Sequence, residues 1–308
     1  SGTTLTFTAA PVSSSGNNIY VLHHNSPAST ATHPAAQALT ATSGTFTGAF
    51  TSLGIDDNAD ATAITIDSAE NVGIGTTPES YHANWTAIDF GDQGGLAHYD
   101  GGSTSLSTNL YHDGSWKAKE TGTSSRYEIG SGGTHKFYSG ASASADAAVT
   151  LTNTLSIDAD GHVTMPKQSC FHVSGSRQSN VPKNATTDIQ FNSERFDLNA
   201  DFNTSTYTFT APVTGKYQLN IVLRYDNGDM DNSYYSLYLV TSNATYRPCI
   251  HTQLSWDQDP DYFNMNGALV VDMDAGDTAK VRLGIPNLGA DQVDLELPES
   301  IFSGYLVA

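Results

Sequence analysis

Apolar and polar side chains alternate along much of the chain, and turn-forming residues interrupt the alternation every few positions. In YTFTAPVTGKYQL (residues 207–219), Tyr207 and Phe209 alternate with threonines, Pro-Val-Thr-Gly breaks the pattern, and alternation resumes at Tyr217. A period of two residues is typical of strands with one buried face. The sequence has no long run with apolar residues at helical spacing, and Gly, Ser, Thr, Asn and Asp punctuate nearly every segment. These features predict an all-β protein.

The charge balance restricts the possible partners. The 308 residues include 13 Lys and Arg against 32 Asp and Glu, which gives a formal net charge of −19. Binding to a nucleic-acid backbone depends mainly on Lys and Arg, so we expect no nucleic-acid partner. An acidic surface attracts divalent cations, and these can bridge to anionic sugars.

Two cysteines, Cys170 and Cys249, are too few for a disulfide framework or a Cys-rich zinc site. We expect two buried thiols in a chain made in a reducing cytosol; a single disulfide is the alternative. The sequence has neither an apolar run long enough to span a bilayer nor a signal segment. Because it starts at Ser1 within a strand-like stretch, we expect the C-terminal portion of a longer protein.

An internal repeat links two distant segments. ITIDSAENVGI (residues 64–74) and LSIDADGHVTM (residues 155–165) align without a gap, which superposes Ile66-Asp67 on Ile157-Asp158. Each segment is predicted to be a hairpin with a polar tip between two alternating strands. Repeated small hairpins indicate a shaft of modules that cannot bury their apolar faces alone.

Three segments of the first half occur together: TLTFTAAP with NNIYV, NVGIGTTP (residues 71–78), and DGSWKAKETGTSSRYEIGSGGTHKF, whose Asp113-Gly114 is a hairpin turn signal. In this order they resemble modules of the tail-fibre proteins of tailed bacteriophages, particularly those of marine and cyanobacterial hosts. The resemblance implies a trimeric, β-rich fibre shaft. We expect shaft modules at residues 1–50, at 51–110 with the NVGIGTTP motif, and at 111–166 with the second hairpin repeat.

Three blocks follow in the last 140 or so residues: YTFTAPVTGKYQL, GALVVDMDAGDTAKVRL and SIFSGYLVA. They resemble the globular head of complement component one-q, a jelly roll of the tumour-necrosis-factor type. The family motif falls on Phe209, Pro212, Gly215 and Tyr217, then on Gly276 and Asp277, then on Phe302, Gly304 and Tyr305. The resemblance implies a jelly-roll head over residues 167–308 and assembly as a homotrimer. Tyr305 is expected either near the subunit contact or in the core of one protomer.

The break at Pro-Val-Thr-Gly is interpreted as a corner between two sheets. Pro212 sets one backbone angle in advance, and Gly215 is expected to adopt a conformation that other residues resist. Nine segments are predicted to be the strands of the jelly roll: CFHV, DIQF, YTFTA, YQLNIVLRY, YYSLYLV, YRPCIHTQ, GALVVDM, AKVRLGI and SIFSGYLV.

Two acidic loops interrupt the head strands. YDNGDMDNS contains Asp226, Asp229 and Asp231, and WDQDPDYF contains Asp257, Asp259 and Asp261. Carboxylates at alternate positions suit Ca²⁺, which takes six to eight oxygen ligands from flexible loops. The first triad is therefore a candidate calcium site, and solvated acidic turns are the alternative. Calcium is the only cofactor that the sequence suggests.

Three aromatic residues, Tyr246, Trp256 and Tyr262, flank the second acidic loop. Exposed rings beside acid and amide groups hold sugar rings by apolar stacking with polar contacts at the rim. Together with Asp257, Asp259 and Asp261, they form a candidate receptor site; the alternative is that the rings belong to the core or to a trimer contact. No catalytic residues are predicted, since hydrolase, zinc-peptidase and thiol-redox motifs are absent from the sequence.

These features together predict a trimeric phage tail fibre that binds host-surface glycan, such as lipopolysaccharide, through many weak contacts. The expected location is the virion, after assembly in the host cytoplasm, with attachment to other tail proteins through a preceding N-terminal region. Two alternatives stay open: a structural or decoration fibre without a receptor role, and a polysaccharide-degrading tailspike with paired carboxylates.

Overall fold

The computed structural model describes residues 63–226, 228, 233–252, 261–286 and 292–308. The predicted module at residues 1–50 and the start of the next module lie outside these residues. A helix able to cross a bilayer does not occur in the described part of the chain. Its one helical turn is the 3₁₀ segment Leu297–Glu299.

A nine-stranded sheet occupies the first described part of the chain, with a separate two-stranded hairpin beside it. Its strands are β1 (Ile64–Ile66), β2 (Val72–Ile74), β3 (Trp85–Phe90), β4 (Gly94–Tyr99), β5 (Ser103–Thr108), β8 (Gly122–Gly130), β9 (His135–Ala143), β10 (Leu151–Ile157) and β11 (Val163–Thr164). The hairpin consists of β6 (Tyr111–His112) and β7 (Trp116–Lys117), and Gly114 in its turn has φ +125°, which confirms the turn predicted at Asp113-Gly114. Strand order in the sheet follows chain order, and only β2 and β3 pair in parallel.

The internal repeat is confirmed as two hairpins of the same construction, β1–β2 and β10–β11, at opposite edges of this sheet. In the first, Asp67 Oδ1 accepts the backbone N–H of Ala69 at 2.9 Å and of Asn71 at 2.8 Å. In the second, Asp158 Oδ1 accepts those of Asp160 and His162 at 3.0 and 2.9 Å. The repeated aspartate is therefore the residue that closes each turn.

One face of the nine-stranded sheet packs beneath the β6–β7 hairpin and neighbouring segments. An aromatic cluster forms the core beneath this face. It contains Tyr81, Trp85 and Tyr111, and Trp116 packs against it. A buried ion pair joins Lys119 Nζ to Asp89 Oδ1 at 2.5 Å, and the Tyr81 hydroxyl donates to the same oxygen at 2.8 Å. The core of this module is therefore small and partly polar.

The head consists of two sheets. The seven-stranded sheet contains β12 (Cys170–Ser174), β13 (Gln178–Pro182), β15 (Ser193–Asp197), β18 (Gly215–Asp226), β21 (Tyr262–Met273), β23 (Gln292–Leu295) and β24 (Ile301–Leu306). The six-stranded sheet contains β14 (Ala185–Asp188), β16 (Phe202–Asn203), β17 (Thr208–Thr210), β19 (Tyr234–Thr241), β20 (Thr245–Thr252) and β22 (Thr278–Ile285). One apolar core, including Phe171, Phe209, Tyr217 and Phe302, fills the space between them.

The predicted corner is confirmed, because β17 belongs to the six-stranded sheet and β18 to the seven-stranded one. The Tyr217 hydroxyl donates to the Val213 carbonyl at 2.7 Å and holds the corner closed. The reason given for Gly215 is wrong: it lies outside the positive-φ region. A Cβ there would meet the Ala308 carbonyl oxygen at 2.6 Å, so glycine is required by the close approach of the C-terminus.

Two other expectations for the head are corrected. The strand predicted at DIQF is wrong, since β14 ends at Asp188, and Ile189 and Phe191 are buried core residues after it. Tyr207 has φ +57°, so the YTFTA strand begins only at Thr208. The described residues of the other seven predicted segments lie on strands, except Ser300 and Val307 at the two ends of the last segment.

Candidate functional site

The head has two distinct ends. The chain enters at Cys170, which pairs with Tyr305, and the C-terminal Ala308 carbonyl accepts the Lys216 N–H at 2.7 Å, so both lie near the start of β18. At the other end of β18, Asp226 pairs with Tyr262. The eight residue-to-residue steps from Gln218 to Asp226 place the two ends about 27 Å apart.

The second end, which we call the loop end, is where both acidic loops join their strands. The first loop leaves β18 at Asp226 and the second enters β21 at Tyr262, directly opposite. In the other sheet, Tyr234 at the start of β19 pairs with Thr252 at the end of β20. The structure therefore brings the bases of the two predicted sites together at the end of the head farthest from chain entry.

Arg177 joins three carboxylates at the loop end. Its guanidinium contacts Asp226 Oδ2 at 2.9 Å, Asp294 Oδ2 at 2.8 Å, and Glu296. The hydrogen bond to Asp294 raises the pKa of Arg177 and, with the backbone N–H of Asn180, holds the pKa of Asp294 below its usual value. Three carboxylates against one guanidinium leave this cluster with an excess of negative charge.

Asp226 is the described member of the predicted calcium triad. Its side chain is 8% exposed, and within the described residues Oδ1 has no hydrogen-bond partner while Oδ2 faces Arg177. Asp229 and Asp231 lie outside the described residues, as do Trp256, Asp257 and Asp259 of the predicted receptor site.

The remaining members of the predicted receptor site are separated. Tyr262 is 61% exposed, and the guanidinium of Arg224 lies 4.3 Å from the centre of its ring. Asp261 is also exposed beside it. Tyr246 lies six residues before the end of β20, about 20 Å along the strand, and packs against the head core. Tyr262 and Asp261 are thus at the loop end, and Tyr246 is not.

The outer face of the seven-stranded sheet is uncharged over its centre. Lys216 and Asp272 form an ion pair of 2.6 Å at one border, and Arg224 pairs with Glu299 at the other. Between these pairs the outward residues of β18, β21 and β24 are neutral; they include Gln218, Val222, Val270, Ile301 and Tyr305. Tyr305 is 47% exposed and therefore lies outside the protomer core.

A groove of about 450 Å³ opens beside this face. His172, Arg195, Phe196 and Glu299 are among its lining residues. Burial, with a smaller effect of the Arg195 charge, lowers the pKa of His172. Sequence reasoning missed this groove, as it missed Arg177 and Arg224, because the contacts join residues far apart in the chain.

The remaining motif residues support the fold. Gly276 has φ +91°, and next to it Asp277 accepts the Asp274 N–H and the Ser242 hydroxyl at 2.8 and 2.7 Å, which lowers the pKa of Asp277. Gly304 lies beneath Phe171 and Leu219, while Pro212 is exposed at the corner.

One group of possible metal ligands occurs among the described residues: Asp158, Asp160 and His162, with ligand atoms within 4.8 Å of one another. All three are exposed, and Asp158 already accepts hydrogen bonds that close its turn. The cluster is accounted for by the hairpin.

Comparison with known proteins concerns the fold of the head. A family model described as C1q domain matches residues 170–307. The head has a C1q-like jelly-roll fold, and the match covers nearly all of it. Domains of this type are typically non-enzymatic binding domains, and they commonly form homotrimers.

Three solved structures illustrate the similarity. The globular domain of zebrafish complement 1qA is 18% identical, covering 46% of this chain and 98% of its own, with a TM-score of 0.37. Murine APRIL is 15% identical over 46% and 100% of the two chains, with a TM-score of 0.34. Eiger TNF from S. frugiperda is 16% identical over 46% and 93%, with a TM-score of 0.33. No match was found among curated protein sequences.

Proposed function

We propose that the chain is a homotrimeric phage tail fibre whose C1q/TNF-like head binds a host-surface glycan. The observation that carries this proposal is the position of the loop end, about 27 Å along β18 from the point where the chain enters the head. In a fibre whose shaft precedes the head, that end is the one presented to a cell.

The uncharged outer face of the head supports assembly into trimers. In a chain with a net charge of −19, two surfaces approach one another most easily where carboxylates are absent. The half-exposed apolar residues Val270 and Tyr305 lie on that face, flanked by ion pairs at its borders. Burial of such a patch against a second copy is favourable.

Chemistry at the loop end supports glycan recognition. Tyr262 offers an exposed ring for stacking on the face of a sugar. Arg224 beside it can donate hydrogen bonds to the sugar hydroxyls, and the acidic residues can accept hydrogen bonds from them. Three weak sites per trimer raise avidity when a surface presents many copies of the glycan.

The excess negative charge at the loop end also supports calcium binding between the loops. The buried Asp226 carboxylate is an oxygen donor of the kind that Ca²⁺ selects, and Asp229 and Asp231 would complete the set. Location in the virion and attachment through a preceding region are parts of the same proposal, and they rest on the resemblance of the shaft segments to tail-fibre modules.

Binding of the labelled full chain to candidate cyanobacterial cells, and to lipopolysaccharide extracted from them, tests the proposal. We expect binding that weakens at least tenfold when Asp257→Ala is combined with Asp259→Ala, together with loss of any calcium-dependent rise in the melting temperature. Asp92→Ala with Asp100→Ala removes the same charge from exposed turns of the shaft and should change neither value. Equal binding by both double variants contradicts a receptor site at the loop end.

Two alternatives predict different outcomes in the same assay. A structural or decoration fibre would assemble as a trimer without binding cells or lipopolysaccharide. A degrading spike would release reducing sugar from the glycan, which a binding head does not.

A further inference from the structure

The nine-stranded sheet has one face without charged residues. On strands β1 to β5 and β8 to β11, the side chains opposite the small core include no Asp, Glu, Lys or Arg. The core-side face carries Asp89, Arg126 and Glu128. We call the first surface the uncharged shaft face.

A continuous row of large apolar side chains crosses this face along its middle. Strand pairing places Ile88, Leu96, Leu106, Tyr127, Phe137 and Leu155 opposite one another on six consecutive strands. At the β1–β2 edge the row continues through Val72 and Ile66. These side chains are far from buried in one chain: Leu106 is 52% exposed, Phe137 43% and Leu96 41%.

On β4 and β5, in the middle of the sheet, the residues on either side of the row are smaller or polar. On β4 the flanking residues are Gly94 and His98, and on β5 they are Thr104 and Thr108. On other strands large apolar side chains flank the row and widen the patch: Ile74, Phe90 and Ile129 are 48%, 42% and 45% exposed. A large exposed apolar patch of this kind marks an interaction site.

The geometry of the row suits a three-fold axis. The row runs across eight strands, which at about 4.8 Å per step makes it about 34 Å long. Strands β3, β4 and β5 have six residues each and are about 20 Å long. An equilateral triangle with sides of about 20 Å has its centre about 6 Å from each side, close to half the ~10 Å spacing of packed sheets.

We propose that three copies of the chain pack their uncharged shaft faces against one another, with the row at Leu106 along the axis of a three-sided prism. This inference rests on the proposed homotrimer and adds the surface that forms its shaft. Because the face has no charge, three chains of net charge −19 can meet there without bringing carboxylates together. Because strand order follows chain order, the chain advances along the axis from the β1 edge to the β11 edge.

Thiol reactivity tests whether the face is covered. In full-length chains carrying Cys170→Ser and Cys249→Ser, we compare Leu106→Cys with Val213→Cys, a head residue of similar exposure at 47%. We expect a bulky maleimide to label the Leu106→Cys thiol at least tenfold more slowly than the Val213→Cys thiol in the native protein, and equally fast after denaturation. Equal native rates overturn the proposal.

Cross-linking identifies what covers the face. Prolonged reaction of Leu106→Cys with a short bismaleimide should join chains into covalent dimers and leave about one chain in three single, since three thiols meet at one axis. If residues 1–62 of the same chain cover the face, the thiol is protected but only single chains form, which overturns the proposal. Light scattering separates the two hypotheses: a trimer without these dimers overturns the shaft interface alone, and a monomer overturns the homotrimer as well.

Discussion

At the scale of single residues, close packing explains why the last strand contains Gly304. A Cβ on Gly304 would lie 2.4 Å from Leu219 Cδ2 and 2.8 Å from Phe171 Cε1. Both neighbours belong to the buried head core and have little space to move. The glycine of the Phe-Ser-Gly block is therefore required by the close packing of β24 against the strands beside it.

Replacing this glycine should destabilise the head. We expect Gly304→Ala to cost about 1–3 kcal/mol, because overpacking a dense core forces its neighbours to shift. Gly132→Ala is the matched control, since a Cβ there meets nothing within 4 Å. Thermal unfolding of both variants measures the difference, and equal midpoints would contradict the packing argument.

The Arg177 cluster should make stability depend on acidic pH. The hydrogen bond from Arg177 lowers the pKa of Asp294 in the folded chain. A lowered carboxyl pKa contributes stability above the unfolded value of about 3.9, and this contribution is lost as pH falls through the folded pKa.

Asp294→Asn should therefore be less stable than the parent at pH 7, and the difference should shrink between pH 4 and pH 2. Denaturant titrations of both chains at pH 7, pH 4 and pH 2 measure the difference in the free energy of unfolding. Asp92→Asn on an exposed turn is the control. A constant difference at every pH would show that Asp294 acts through packing and not through its charge.

At the scale of elements, strand prediction succeeded where one face of a long strand is buried. β18, β21 and β22 alternate over eight residues or more, because every second side chain enters the head core. The strands β13 and β15 were missed because they are short and mostly polar. Their positions depend on partners far along the chain, which local alternation does not encode.

The small core of the nine-stranded sheet depends on one buried ion pair. Lys119 and Asp89 have side chains 2% and 1% exposed, so removing one partner leaves the other charged and unsolvated. We expect Lys119→Met to cost about 3–5 kcal/mol. Adding Asp89→Asn should recover part of this loss, because the amide oxygen can still accept from the Tyr81 hydroxyl.

Differential scanning calorimetry measures both variants. If Lys119→Met alone unfolds at nearly the same temperature as the parent chain, the ion pair contributes little to the stability of the module. A double variant less stable than the single one would mean that the Asp89 charge is not the source of the cost.

At the scale of the whole molecule, the order of motifs predicted the C1q/TNF-like head, and the family model over residues 170–307 agrees with it. The candidate site could be predicted only in part. The acidic loops are visible in sequence, but Arg177, which contacts Asp226 at the base of the first loop and Asp294 on β23, lies 49 and 117 residues away from them. The uncharged shaft face was equally hidden, since it appears only when nine strands are placed side by side.

We propose that three copies of the chain form one fibre. The most direct test is the solution mass of the full chain by light scattering, with and without a calcium chelator. We predict three times the mass of one chain in both conditions, because the uncharged faces of the head and of the nine-stranded sheet need no metal to meet. A stable, folded monomer would contradict the account.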